Sequence, residues 1–89
     1  MVAKITISPE VLFHQLDDEA VLLHLPTERY FSLNPVGAKV WQLLERGLLL
    51  DASVEEIVKE YQMPTDVVRR DVAELIAQLT ERQLIQVED

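Results

Sequence analysis

The hydrophobic period changes once in this chain, at Asn34-Pro35, and that change limits what the chain can fold into. Upstream, the apolar residues fall in short β-branched or alternating runs: KITI at 4–7, VLFHQL at 11–16, EAVLLHL at 19–25 and RYFSL at 29–33, as strands require. Downstream, Val36, Val40, Leu43 and Leu44, with Trp41 beside them, recur at helical spacing. Asn is a favoured N-cap, and Pro at the first helical position loses only an N–H that would have no partner there.

The breaks on either side have their own chemistry. Pro9, within Ser8-Pro9-Glu10, cannot donate to a ladder, so a strand is interrupted or begins there. Asp17-Asp18 reads as a hairpin turn and Pro26-Thr27-Glu28 as a second break. In RYFSL, alternation puts Phe31 and Leu33 on one face and Tyr30 and Ser32 on the other. Gly47 closes the first helix as a C-terminal cap. Ser53 with Glu56 forms a capping-box signature for a second helix through about Gln62, whose buried side is Ile57, Val58 and Tyr61. Pro64-Thr65-Asp66 opens the longest helix, over 65–82, with Val68, Val72, Leu75 and Leu79 as its apolar stripe. LIQVE reads as a short extended tail. The predicted class is α+β: an N-terminal three-stranded antiparallel sheet followed by three helices, winged helix-turn-helix-like, in one domain spanning 1–89.

Composition removes most chemistries. With 89 residues there is room for one modest core. Sixteen acidic against eight basic residues give a net charge of −8, which opposes nucleic acid and anionic membranes, because phosphates are held by clustered Lys and Arg. Absence of cysteine rules out disulfides, thiolate zinc sites and Cys nucleophiles. The N-terminal MVAKITIS lacks the apolar core of a signal peptide, and no apolar run reaches the roughly 18 residues of a membrane span; a cytoplasmic protein is expected. His14 and His24 sit in neighbouring strands where they could face one another, but no third ligand follows at metal-site spacing. Two glycines, Gly37 and Gly47, cannot form a phosphate loop, and no serine stands in a nucleophile motif. The reading is a binding protein rather than an enzyme, without cofactor or metal.

RYFSLNPVGAKVWQLLERG then carries a resemblance. A strand ending in YFSLN, a first helix of the form GxxVWxxL, SVEEI opening the second helix and DVxxLIxxL in the third, in this order, are similar to the family of small proteins like the D protein of pyrroloquinoline quinone biosynthesis. Members of that family are known as recognition elements for the precursors of ribosomally made, modified peptides (RiPPs). Trp41 after RYFSLN most resembles the discrete leader-binding proteins of lasso-peptide operons. Glu28 stands where that family commonly has glycine, and GLLLDAS is longer than its usual turn.

The resemblance implies non-catalytic binding of a precursor's leader by strand addition to residues 29–33, in a groove beside the third helix. It further implies delivery to a separate leader peptidase and to a cyclase. Main-chain bonds are blind to sequence, so side-chain pockets must supply selectivity. Arg29, Tyr30, Phe31, Ser32 and Leu33 form the expected edge. On the third helix, Val68, Val72 and Leu75 are expected to floor the groove, with the apolar flank of Ala73 and Ile76, a turn after Arg69, as its wall in preference to the opposite flank of Val67, Asp71, Glu74 and Gln78. Tyr30 or Phe31 with Val72, Ala73 and Ile76 would take apolar leader anchors; Arg69 or Asp71 would hold a polar or charged leader group. Two other readings stand beside this one. One is a peptide chaperone for a radical-SAM enzyme in pyrroloquinoline quinone or other RiPP biosynthesis. The other is a DNA-binding regulator, which the acidic third helix disfavours.

Overall fold

The computed structural model describes residues 4–47 and 50–88. Its elements run β1 (Lys4–Ile7), β2 (Val11–Leu16), β3 (Glu19–His24), β4 (Arg29–Leu33), α1 (Pro35–Glu45), α2 (Leu50–Tyr61), α3 (Thr65–Glu81) and β5 (Ile85–Glu88). β2, β3 and β4 form the expected antiparallel meander. The expected tail, by contrast, is β5, paired antiparallel with β1 from Lys4 opposite Glu88 to Ile7 opposite Ile85. KITI therefore belongs to a second sheet. The break at Ser8–Glu10 turns the chain from one sheet into the other, and the Ser8 amide fastens it by donating to the Leu84 carbonyl at 3.0 Å.

The meander has one buried face. Register pairs Phe13 with Leu22 and Leu22 with Phe31, and Ala20 with Leu33, so these side chains share the face against which α1 packs. Ala20, Leu22 and Leu33 are buried there with Val40, Trp41, Leu43 and Leu44 of α1. α1 and α2 carry the core onward to Val68, Val72, Ile76 and Leu79 of α3. Residues 68, 72, 76 and 79 span a narrow arc at 100° per residue. Leu75 lies on the rim of that arc and is half-buried, so Ile76 rather than Leu75 completes the core stripe. Tyr61, expected on the buried side of α2, is exposed.

The junction at Asn34 forms as its sequence requires. The Asn34 backbone is extended (φ −73°, ψ 176°), and its side-chain oxygen accepts from the Gly37 amide at 2.8 Å. Gly37 has little room: a Cβ there would lie 3.3 Å from Asn34 Oδ1 and 3.3 Å from Leu33 Cδ2. Ser53 does not cap α2, because that helix begins three residues earlier at Leu50; Ser53 is fully buried within it. The two histidines do not face each other either. His14 pairs with Val21 and His24 with Val11, which puts them on opposite faces of the sheet, and His24 Nδ1 lies 2.9 Å from Thr27 Oγ1.

Glu28 adopts φ +57°, the left-handed region that disfavours any side chain with a Cβ. Its amide donates to the His24 carbonyl at 2.8 Å to close the turn before β4. Strain of roughly 1–2 kcal/mol there exceeds the extra backbone entropy of glycine, roughly 0.5–1 kcal/mol. Glu28→Gly should therefore raise the urea midpoint at unchanged m-value, reporting a gain of about 0.5–1 kcal/mol in unfolding free energy, and Glu28→Val should lower it. Asn34→Ala removes the cap and should cost about 1 kcal/mol in the same measurement.

Candidate functional site

β4 is an edge strand: within the described sheet order β2-β3-β4, nothing pairs with its outer side. Which of its backbone groups face outward follows from the ladder. The Leu25 amide donates to the Glu10 carbonyl, so 10 and 25 form a hydrogen-bonded pair. Antiparallel pairs alternate, which turns Glu19, Val21 and Leu23 toward β2 and Ala20, Leu22 and His24 toward β4. Their partners Leu33, Phe31 and Arg29 then bond inward. Tyr30 and Ser32 are left to present N–H and C=O to the free side.

A groove of about 470 Å³ lies along this edge, between β4 and α3. Phe31, Leu33, Val72 and Leu75 give it an apolar floor, and Val36, Gly37 and Val40 of α1 close one end with Asn34 and Met63. Ser32 lies on its lip. The α3 wall is Asp71, Glu74 and Gln78, so it is polar and negatively charged. Arg70 Nε approaches Asp71 at 4.0 Å with both side chains largely in solvent, where such a pair contributes little. Phe31 is steadied from α3 as well, since the Arg82 guanidinium lies 5.0 Å from the ring centroid, a favourable cation–π distance.

The expected residues divide accordingly. Phe31, Ser32, Leu33, Asp71, Val72 and Leu75 meet in the groove. Arg29 and Tyr30 are exposed, with Tyr30 on the sheet face turned away from the core. Val68 is fully buried and lies below the groove rather than in it. The flank expected as the wall is displaced: Arg69 reaches the other way, to Asp51 of α2 at 3.5 Å. Ile76 is buried in the core, and Ala73 is exposed outside the groove lining. Helical arc accounts for this. Asp71, Glu74 and Gln78 lie on the side of α3 beyond Leu75, and Arg69 and Ala73 beyond Ile76. In the sequence the flank of Ala73 and Ile76 is the more apolar, but which side meets β4 depends on how α3 crosses the sheet. Glu74 and Gln78 share the polar flank with Asp71 by their helical spacing beside Leu75, and it is this flank, not the apolar one, that lines the groove.

Among the described residues no three His, Cys, Asp or Glu side chains gather as a metal site. No helix among them is long and apolar enough to cross a membrane.

Comparison with known proteins fits this geometry. No curated protein matches the chain. Among solved structures, one described as TbiB1 in complex with the TbiA(beta) leader peptide superposes with a TM-score of 0.84 at 38% identity, over 91% of this chain and 94% of that one. Another, described as lasso peptide synthetase B1 complexed with the leader peptide, gives a TM-score of 0.83 at 26% identity, over 93% and 98%. Residues 19–85 match the profile of the family described as coenzyme PQQ synthesis protein D (PqqD). That match takes in β3, the β4 edge, all three helices and the groove between them, and the chain belongs to the PqqD family.

Proposed function

We propose that this protein binds the leader of a ribosomally made precursor peptide, without catalysis, by adding it as a strand to β4 beside α3. The observation that carries the reading is the coincidence of the free edge at Tyr30 and Ser32 with the apolar-floored groove next to it. An extended peptide on that edge gains ladder bonds of roughly 0.5–1.5 kcal/mol net each. Its alternate side chains point into the groove, where Phe31, Leu33, Val72 and Leu75 accept apolar groups. Asp71 and Glu74 favour a leader with a Lys or Arg facing α3. Both solved relatives are complexes with leader peptides, and this supports the same cargo here. In this reading the protein hands the precursor to a separate leader peptidase and a cyclase of lasso-peptide maturation.

The PqqD match favours a second reading, a peptide chaperone for a radical-SAM enzyme. Copurification with such an enzyme and not with a peptidase would select it.

Calorimetry with the leader encoded beside this protein tests the main reading, and absence of binding would refute it. Ser32→Pro removes one outward N–H at an edge position where proline is tolerated. It should weaken leader binding about 3- to 10-fold or more with the fold intact, and unchanged affinity would contradict strand addition. Leu75 and Leu79 separate the groove from the core. Leu75→Ala should weaken binding roughly tenfold with a modest loss of stability. Leu79→Ala, at a fully buried position, should cost about 2–5 kcal/mol in unfolding free energy.

A further inference from the structure

The groove beside β4 is charged unevenly along its length, because α3 runs opposite to β4. Two backbone bonds fix that direction. The Ser8 amide donates to the Leu84 carbonyl just beyond α3, and the Leu25 amide to the Glu10 carbonyl; His24, beside Leu25, pairs with Arg29. The C-terminal end of α3 therefore lies at the N-terminal end of β4. At the other end, Asp71 and Glu74 share the groove with Asn34, Gly37 and Met63.

Arg82 follows Gln78 by about one turn, and its guanidinium lies 5.0 Å from the Phe31 ring centroid. Arg29, two residues before Phe31, stands on the same face of the strand and is exposed. Among the described residues neither arginine is ion-paired, whereas Lys39, Arg69 and Arg70 each have a carboxylate partner. In a chain with 16 acidic residues against 8 basic, two unpaired arginines at one mouth of the groove are groups well placed to take an anion.

We infer that Arg82, assisted by Arg29, binds an acidic side chain of the leader, and that the leader carries its charges in a fixed order: a Lys or Arg, then an Asp or Glu about four residues later. The inference rests on leader binding as proposed above.

The spacing follows from geometry. Glu74 and Arg82 are 8 residues apart, about 12 Å along a helix. An extended peptide covers that length in about four residues at roughly 3.3 Å each. Four is even, so both charged side chains fall on the face of the added strand that is turned to the groove. The residue midway also faces inward, over Phe31 and Leu75, and takes an apolar group. Asp71 to Arg82 corresponds to about five residues of strand, an odd number that would turn one charge away. Glu74 is therefore the partner of the basic residue.

The order follows from direction. Tyr30 and Ser32 each turn an N–H and a C=O outward, and an antiparallel strand satisfies both groups of a residue through the one that faces it. Antiparallel pairing is also the more stable per residue. A leader laid this way passes Leu33 and Glu74 first and Phe31 and Arg82 later, so basic precedes acidic. The same leader laid parallel would meet like charge at both ends, and a slip of one residue would turn both charges to the outer face. The two ends of the groove thus select direction and register, which main-chain bonds alone leave open.

Calorimetry at low salt tests this with the synthetic leader of the precursor encoded beside this protein. Arg82→Glu should weaken binding about three- to tenfold, and the loss should shrink at about 1 M NaCl, where charges are screened within about 3 Å. Replacing the leader's acidic residue by Lys should weaken binding to the unmodified protein and restore binding to Arg82→Glu. Arg46→Glu, exposed at the end of α1 away from the groove, changes net charge equally and should leave affinity within about twofold. Unchanged affinity in Arg82→Glu, or a loss matched by Arg46→Glu, would overturn the inference. So would a loss that the exchanged leader does not recover, which would assign Arg82 to packing on Phe31 alone, or a leader that binds without the basic-to-acidic order. Failure of the leader to bind the unmodified protein would refute the proposed function and the inference with it.

Discussion

The hydrogen bond from the Gly37 amide to Asn34 Oδ1 fixes the relation between edge and groove. Asn34 ends β4 in an extended conformation and opens α1 with one of its orphan donors satisfied. Because Pro35 follows at once, there is no linker in which the sheet could swing relative to the helices. Leu33 is held in the core on one side of this junction and Val40, Trp41 and Leu43 on the other. The free groups of Tyr30 and Ser32 are thereby held at a fixed distance from α3. A peptide strand added there loses its own conformational freedom but finds a preorganised template, which lowers the ordering cost of binding.

The free edge of β4 needs protection. Exposed strand edges invite pairing with other copies, and here β4 is short and sits beside an acidic α3 wall on a chain of net charge −8. Self-pairing would set like charges together, whereas a peptide bearing Lys or Arg relieves them. In the proposed function, one charge pattern therefore both discourages aggregation and selects cargo.

Local chemistry was legible in the sequence wherever one residue type had one physical use. Asn34-Pro35, the Asp17-Asp18 turn and the Gly47 cap, whose φ is +83°, all formed as read, as did the β2–β4 meander and three helices. Legibility failed where distant segments decide. LIQVE resembles a tail until KITI pairs with it, a contact between the two ends that no local pattern announces. Ser53 and Glu56 have the spacing of a capping box, but α2 begins at Leu50, so tertiary burial of Ser53 overrode a local signal. The groove residues divided likewise. Alternation separated the faces of β4 and the family resemblance implied its free edge, whereas Glu74 and Gln78 replaced Ala73 and Ile76 because the crossing of α3 over the sheet is a property of the packed core. Glu28 shows a third case: its left-handed backbone, φ +57°, is a conformation that nothing in the identity of a glutamate announces.

Strand addition at β4 is the central claim, and backbone amide hydrogen exchange measured with and without the leader tests it most directly. Phe31 and Leu33 already bond to β3, so their amides should be protected in the free protein. Tyr30 and Ser32 should exchange rapidly when free and slow by at least tenfold with leader bound. New protection confined to β2, or to the β1–β5 sheet, with Tyr30 and Ser32 unchanged, would contradict the account.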